Sequence, residues 1–426
     1  MHRRRESARV VVTGLGVATS LGLHVNELWS GIINGRSGIS YIHQFDSRAF
    51  PVRIGGEIDL SLFPENGYDD PVLRGNRILR FALWAADRAW SDASFGCTSD
   101  VRNEAGVCVG SGGFPALEAR FADTEPQMAQ RRWSGGWLLR LLTAHPELLS
   151  QYRLSAVSTL LSQRFHLTGP SLTIQGACTS GTQAIGEAFR MIQSGRARVM
   201  LCGGADSMLS AFCVAGFSLL GALSTHPDPR TASRPFDLTR NGFVIGEGAA
   251  IAVLESAENA EARGARVYAE VVGYGSSSDG YRFTDVHPDG QGAVDAMRRA
   301  LSEAQLQPED VGYINAHGTS TLQNDRVETI AIKSVFSKHA TNLAVSSTKS
   351  HLGHLICAAG AVEFVLTVLA LDTGILPATL NLYLPDPECD LDFIPLEARR
   401  QQVRVALSNS FGFGGQNGAI AVKQWH

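Results

Sequence analysis

The chain has 426 residues, 44% of them hydrophobic, with 37 Lys and Arg against 41 Asp and Glu for a formal net charge of −4. That length accommodates two domain-sized halves, and the apolar share can fill a large core. The near balance of charge gives no support to wrapping nucleic acid or coating an anionic membrane.

The start, Met1-His2-Arg3-Arg4-Arg5, is basic, but a Gly-punctuated strand follows it rather than a secretory apolar segment with a cleavage site. Arg9 to Gly16 is a β-branched run ending in glycines, which predicts a central strand entering a turn. Its Gly14-Leu15-Gly16 is a poor dinucleotide signal, because Thr19 stands where the third glycine belongs. Arg77 to Ala93 places apolar residues at helical spacing, and Arg74, Arg77 and Arg80 at its start read as a solvated face. Val107 to Gly113 predicts another buried strand, whereas Phe121 to Arg153 has no regular pattern. Gln175-Gly176-Ala177-Cys178-Thr179-Ser180-Gly181 then delivers a cysteine to the first turn of a helix carried by Ala184, Ile185, Ala188, Phe189 and Ile192. A thiol there is either a small buried hydrophobe or a nucleophile that the positive helix end biases towards thiolate. Val199 to Asp206 is a third strand.

In the second half, Arg266 to Gly275 repeats the strand-and-glycine opening of residues 9 to 16, which suggests two similar α/β halves. Val311 to Thr321 is a strand ending in His317, Gly318 and three hydroxyls, with Asp325 and Glu328 just beyond. Val345 to Leu355 repeats the arrangement with Lys349, His351 and His354. Imidazoles at strand ends can donate to an oxyanion or move protons near neutral pH. Asn409 to Asn417 is a glycine loop able to bring backbone N–H groups close to a ligand. The apolar run Leu355 to Leu371 is interrupted by Glu363 and reads as too short to span a membrane, so the chain is expected to be soluble. Seven cysteines without a C-x-x-C pair argue against a disulfide framework or zinc site and fit a reducing cytoplasm. A cysteine at a helix start, two loop histidines, a lysine and a Gly-rich loop together suit acyl transfer through a thioester.

Cys178 in Gly-Ala-Cys-Thr-Ser-Gly, His317 in Asn-Ala-His-Gly-Thr-Ser-Thr, Lys349 and His354 in Lys-Ser-His-Leu-Gly-His, and Asn-Ser-Phe-Gly-Phe-Gly-Gly-Gln-Asn at 409 to 417 resemble the motifs of β-ketoacyl-acyl-carrier-protein synthases. The resemblance runs from Val10 to Val422. It implies a thiolase-like α/β fold layered αβαβα, with an N-terminal half at 1–258 carrying the cysteine and a C-terminal half at 259–426 carrying the histidines. It further implies that Cys178 accepts an acyl chain from the 4′-phosphopantetheine arm of acyl carrier protein (ACP), with the N–H groups of Cys178 and Phe413 as oxyanion hole. His317 and His354 would assist decarboxylation of malonyl-ACP, with Lys349 orienting them or serving as a structural ion pair. Asp325, Glu328 and Glu363 would be supporting charges. Thr319 and Thr321 would bind the pantetheine arm, and Phe413 would gate the acyl pocket, whose mouth Gly113 would widen. Arg74, Arg77 and Arg80 would dock the acidic carrier. No metal or other cofactor is implied, and the assembly would be a homodimer or a heterodimer with a chain-length-factor homologue.

Cys-Thr-Ser-Gly, Gln323 to Thr329 and Pro385 to Asp392 look like the catalytic ketosynthase subunit of type II polyketide synthases, whereas the 409 to 417 loop looks more like a fatty-acid elongating synthase of the second type. Such a mixture suits a type II polyketide ketosynthase handling reduced or polyene chains. His351 stands where the family has methionine and is expected to be a surface histidine, and His226 replaces an arginine expected to touch the carrier.

Overall fold

A computed structural model describes residues 8–64, 68, 73, 75–95, 101–112, 143 and 153–425. Arg74, Gly113 and most of the irregular stretch after Phe121 lie outside them. In chain order the framework comprises β1 (Val10–Ala18), α1 (Arg77–Asp92), β2 (Ala105–Ser111), α2 (Ala156–Phe165), β3 (Ser171–Ile174), α3 (Ser180–Gln193), β4 (Val199–Ser207), α4 (Ala211–Leu219) and β5 (Glu247–Ser256). The second half supplies β6 (Ala269–Ser278), α5 (Gln291–Ala304), β7 (Tyr313–Asn315), α6 (Leu322–Phe336), β8 (Ala344–Ser346), α7 (Lys349–Leu352), α8 (Ala359–Thr373), β9 (Val405–Gly412) and β10 (Gln416–Gln424).

The ten strands join in the order β8-β7-β9-β10-β6-β1-β5-β4-β2-β3. Reading outward from the central β6–β1 pair gives the same sequence of pairings on both sides: two antiparallel contacts, then two parallel ones. The halves are therefore related by a pseudo-twofold axis between β1 and β6. One apolar cluster packs α1 and α2 outside the first half, another packs α5 and α6 outside the second, and the largest surrounds α3 and α8 between the halves. This is the αβαβα layering. It also explains why β1, β4 and most of β5 are buried throughout rather than alternating: both of their faces are covered.

The repeated Gly-x-Gly has a packing cause. A β-carbon on Gly16 would lie 1.9 Å from the Ala85 carbonyl oxygen of α1, and one on Gly275 would lie 1.9 Å from the Ala296 carbonyl oxygen of α5. Gly14 and Gly273 likewise meet the carbonyls of Ala89 and Ala300 at 2.2 Å. Each strand thus lets an alanine-lined helix lie directly on its backbone. The glycines serve helix–strand approach in duplicate, which accounts for both the echo and the incomplete nucleotide fingerprint.

Two expectations change here. Arg77 turns inward: it donates to both carboxylate oxygens of Glu247, whose side chain has no exposure, and to the Ile58 carbonyl at 2.8 Å. Its charge is consumed in closing the β4–β5 end of the sheet, where Glu247 also accepts from Ile58 N and Ser207 Oγ. Arg80, half-buried, donates to the Tyr68 carbonyl and lies over the Phe63 ring. These two arginines do not form an open face. The apolar segment Ile356–Thr373 has the length and composition of a membrane span, yet 89% of it is buried between the two halves of the fold.

Because the obstacle at Gly275 is helix backbone, which cannot rotate away, Gly275→Ala is expected to destabilise the fold by at least ~2 kcal/mol. Urea denaturation compared with Ala→Gly at exposed Ala211 checks this; a change within about 0.5 kcal/mol would show that α5 can simply move off.

Candidate active site

Cys178 sits on the single 3₁₀ turn Ala177–Thr179 that leads into α3. Ala177 holds φ at 48°, a left-handed conformation that costs a non-glycine residue about 1 kcal/mol or more. Side chains of the turn hold it there: Ser180 Oγ accepts from Gly176 N at 2.9 Å and donates to Ala177 O at 2.6 Å, and Thr179 Oγ1 donates to Gly176 O. The twin half repeats the device. Ile356 has φ 47°, Ile356–Ala358 is again a 3₁₀ turn, and it leads into α8, so Cys357 is the pseudosymmetric mate of Cys178. The two helix starts pack on each other, with Gly181 against the Ala361 backbone and Gly360 against Thr182. This brings both turns into one cavity of about 270 Å³, lined by Cys178, His317, His354, Phe217, Phe243 and Phe413 among others.

His317 ends β7, and its position is clamped through its backbone. The N–H groups of His317 and Gly318 donate to the two carboxylate oxygens of Glu328 at 2.9 and 2.7 Å. Asn409 Nδ2 adds a bond to the same carboxylate. Lys349, buried at the start of α7, donates to the His317 carbonyl at 2.6 Å, contacts His317 Nδ1 at 3.2 Å and pairs closely with Glu363 of α8. Asp325 accepts from Phe236 N and faces Arg240, which is buried between Asp325 at 3.4 Å and Asp386 at 2.6 Å. Arg240 also donates to the carbonyls of Thr321 and Leu322. That fixes the loop whose Thr319 and Thr321 hydroxyls meet at 2.8 Å on the cavity wall. The three acidic residues are thus two backbone clamps and one ion-pair partner.

One side-chain atom each of Cys178, His317 and His354 lies within 4.8 Å of the others, a spacing that could hold a cation. The hydrogen bonds assign it otherwise. Ile356 N donates to His354 Nδ1 at 3.2 Å, and Lys349 Nζ faces His317 Nδ1, so each neutral ring carries its proton on Nε2. A metal-binding nitrogen must offer a lone pair, whereas these offer N–H. His354 Nε2 is buried and has no partner among the described residues. Two imidazole N–H groups pointed into an apolar cavity fit an oxygen that becomes negative during reaction. Burial, together with the neighbouring Lys349, holds both imidazoles well below their usual range, so they stay neutral donors.

Cys178 departs from the thiolate expectation. Burial pushes its thiol up to about 11, and Lys349 and the Phe413 N–H offset this only in part. The helix start therefore does not by itself make a resting thiolate here. The Phe413 N–H lies close enough to the sulfur to favour its charged form, and Phe413 lines the cavity beside it. Glu328 and Asp206 are also held protonatable by burial, at about 7 and about 6. Asp206 accepts from Cys357 N and Ser207 N beneath the cavity floor. Neither Arg240 nor Asp206 carries a sequence signal, since the contacts that tie each to the site, Arg240 to Thr321 and Leu322 and Asp206 to Cys357, come from more than eighty residues away. His351, expected at the surface, is fully buried between the carbonyls of Arg36 and Ala378, and burial lowers it to about 4.

Residues 7–260 match the model described as "Beta-ketoacyl synthase, N-terminal domain", and residues 268–383 match its C-terminal domain. The 3-oxoacyl-[acyl-carrier-protein] synthase 2 of Synechocystis sp. is 42% identical, with 99% of each chain covered. That of Coxiella burnetii is 40% identical, covering 98% of this chain and 99% of the relative. Among solved structures, the type II PKS ketosynthase in complex with its acyl-carrier protein, AntDE:AntF, superposes with a TM-score of 0.88 at 34% identity, covering 98% of this chain and 100% of that one. The ishigamide ketosynthase/chain length factor superposes at 0.86 and 32%, covering 99% and 100%.

With a thiol near 11, inactivation by iodoacetamide should quicken about tenfold per pH unit from pH 7 to 9, without levelling. A plateau below pH 8 in the alkylation rate would instead mean a resting thiolate.

Proposed function

The chain belongs to the β-ketoacyl synthase family, an acyltransferase class of condensing enzymes, and we propose that it elongates acyl chains by decarboxylative condensation with malonyl-ACP. The convergence of the Cys178 sulfur and two imidazole N–H groups in one apolar cavity carries this reading. In the first step Cys178 attacks the acyl thioester on the carrier's 4′-phosphopantetheine arm. Sulfur of the arm leaves with the thiol proton, and the tetrahedral oxygen accepts from the N–H groups of Cys178 and Phe413. In the second, the malonyl carboxylate leaves as CO₂ and its bonding pair becomes the enolate of the thioester. The Nε2–H groups of His317 and His354 stabilise the enolate oxygen. The enolate carbon then attacks the acyl-cysteine, and Cys178 departs as thiolate, which takes up a proton from solvent. Lys349 acts as a positioning residue, since its contacts run to the His317 carbonyl and ring and to Glu363. The reaction uses no cofactor beyond the arm, and Thr319 and Thr321 would hydrogen-bond that arm.

Fatty-acid elongation of the synthase-2 kind takes precedence over the type II polyketide role that the Cys-Thr-Ser-Gly and Pro385 to Asp392 motifs suggest. Relatives named 3-oxoacyl-[acyl-carrier-protein] synthase 2 share 42% and 40% of residues over nearly the whole length, against 34% for the type II ketosynthase. The polyketide reading stands second, supported by the full-length fold likeness to AntDE:AntF. The enzyme is proposed to work in the cytoplasm with ACP as partner. It would act as a homodimer under the first reading, or with a chain-length-factor homologue under the second.

Incubation with saturated acyl-ACP is expected to leave one acyl group on Cys178 by mass spectrometry, and malonyl-ACP should then release a β-ketoacyl-ACP longer by two carbons. Absence of the adduct, or condensation surviving Cys178→Ala, overturns the enzyme assignment. Turnover restricted to polyketide or polyene chains, and only with a coexpressed homologue, would promote the second reading.

A further inference from the structure

The pseudo-twofold axis gives each residue of one half a counterpart in the other. Gly14 and Gly273 are such a pair, since each meets the matching carbonyl of its helix. Across the sheet Gly14 faces Val253 and Gly273 faces Ala421, and these strands pair onward at Leu201 and Leu407. Five residues further along β4 and β9 stand Asp206 and Gly412, followed by Ser207 and Phe413. The counterparts differ in what they present to the two cysteine turns. The β-carbon that Gly412 lacks would lie 3.3 Å from Cys178 N. Asp206 has that carbon, and its carboxylate reaches the twin amide: Cys357 N donates to Oδ2 at 3.0 Å and Ser207 N to Oδ1 at 2.9 Å. These two N–H groups correspond to those of Cys178 and Phe413. Both cysteines line the same cavity, and Asp206 is fully buried beneath it.

We propose that Asp206 decides which of the two thiols takes the acyl group: its carboxylate permanently occupies the oxyanion hole of Cys357, while glycine at 412 leaves that of Cys178 open. The inference rests on the condensing reading above. For either thiol to be acylated, its sulfur must bond to the thioester carbon and the sulfur of the arm must leave with the thiol proton. In between, the carbonyl oxygen carries negative charge and needs N–H donors. At Cys357 both donors are already given to Asp206, and a fixed carboxylate repels a second anion at the same place. The two helix starts and their left-handed turns are otherwise alike, so the helix end does not discriminate between the cysteines. Asp206 acts through two backbone amides and touches no reacting atom, which makes it a specificity-determining residue and not a catalytic one.

Single-turnover acylation of the full chain by saturated acyl-ACP, with the adduct located by peptide mass spectrometry, tests this. With Cys178→Ala alone, Cys357 should stay bare. Adding Asp206→Ala should place the acyl group on Cys357, at least about a hundredfold faster than in Cys178→Ala, the order that an oxyanion donor is worth. The reciprocal change, Gly412→Asp, sets a carboxylate towards Cys178 N and should slow acylation of Cys178 by a similar factor at saturating acyl-ACP. The position of the adduct is a readout that loosened packing alone does not move. A bare Cys357 in a folded Cys178→Ala/Asp206→Ala protein overturns the assignment. So does acylation of Cys357 while Asp206 is in place, or a wild-type rate in Gly412→Asp. Should the double variant not fold, Gly412→Asp decides alone. If wild-type Cys178 takes no acyl group, the condensing reading itself fails; if it does and the variants depart from these outcomes, only the role of Asp206 falls.

Discussion

Everything chemical in this protein hangs on how closely two helix starts approach each other. Gly181 and Gly360 let the first turns of α3 and α8 touch backbone to backbone, and a β-carbon at Gly360 would come within 2.0 Å of Thr182 Oγ1. That contact sets the turn bearing Cys178 against the turn that follows His354. Both turns carry a left-handed residue, Ala177 and Ile356, so strain is stored symmetrically at the seam. From two equivalent cysteines the surroundings make different groups. Cys178 receives the Phe413 N–H and the influence of Lys349, whereas Cys357 lies beside the Asp206 carboxylate, which with burial pushes its thiol well up.

The buried charges around this seam serve chiefly to hold backbone. Glu328 grips two consecutive N–H groups, Arg240 two consecutive carbonyls, and Lys349 one carbonyl and one ring nitrogen. Such groups are costly to bury and are retained where position must be kept. Their effect is to present two imidazole N–H groups and a sulfur at a common point while the rings stay uncharged. A charged imidazole would donate as well, but burial beside Lys349 disfavours it.

The Gly-x-Gly runs, the periodicity of Arg77 to Ala93 and the motif residues Cys178, His317, Lys349 and His354 were legible because each depends on neighbours close in the chain. The thiolate bias of Cys178 was not, because burial, a property of the whole fold, outweighs the local helix end. His351 reads as a surface residue when only its own helix is considered; its burial comes from the segments at Arg36 and Ala378. Arg77 and Arg80 look like a basic face because their partners, Glu247, Tyr68 and Phe63, come from elsewhere in the chain.

The sequence by itself indicated an α/β fold and candidate reactive groups through the spacing of apolar, glycine and motif residues, which encodes local structure and local chemistry, and its resemblance to a family implied the duplicated, layered fold. Only the tertiary structure decided which ring nitrogen carries each proton, which carboxylates clamp rather than react, and that Arg77 turns inward onto Glu247. Those outcomes depend on contacts between segments as much as 170 residues apart, as between Arg77 and Glu247, and on the low dielectric that burial creates around them.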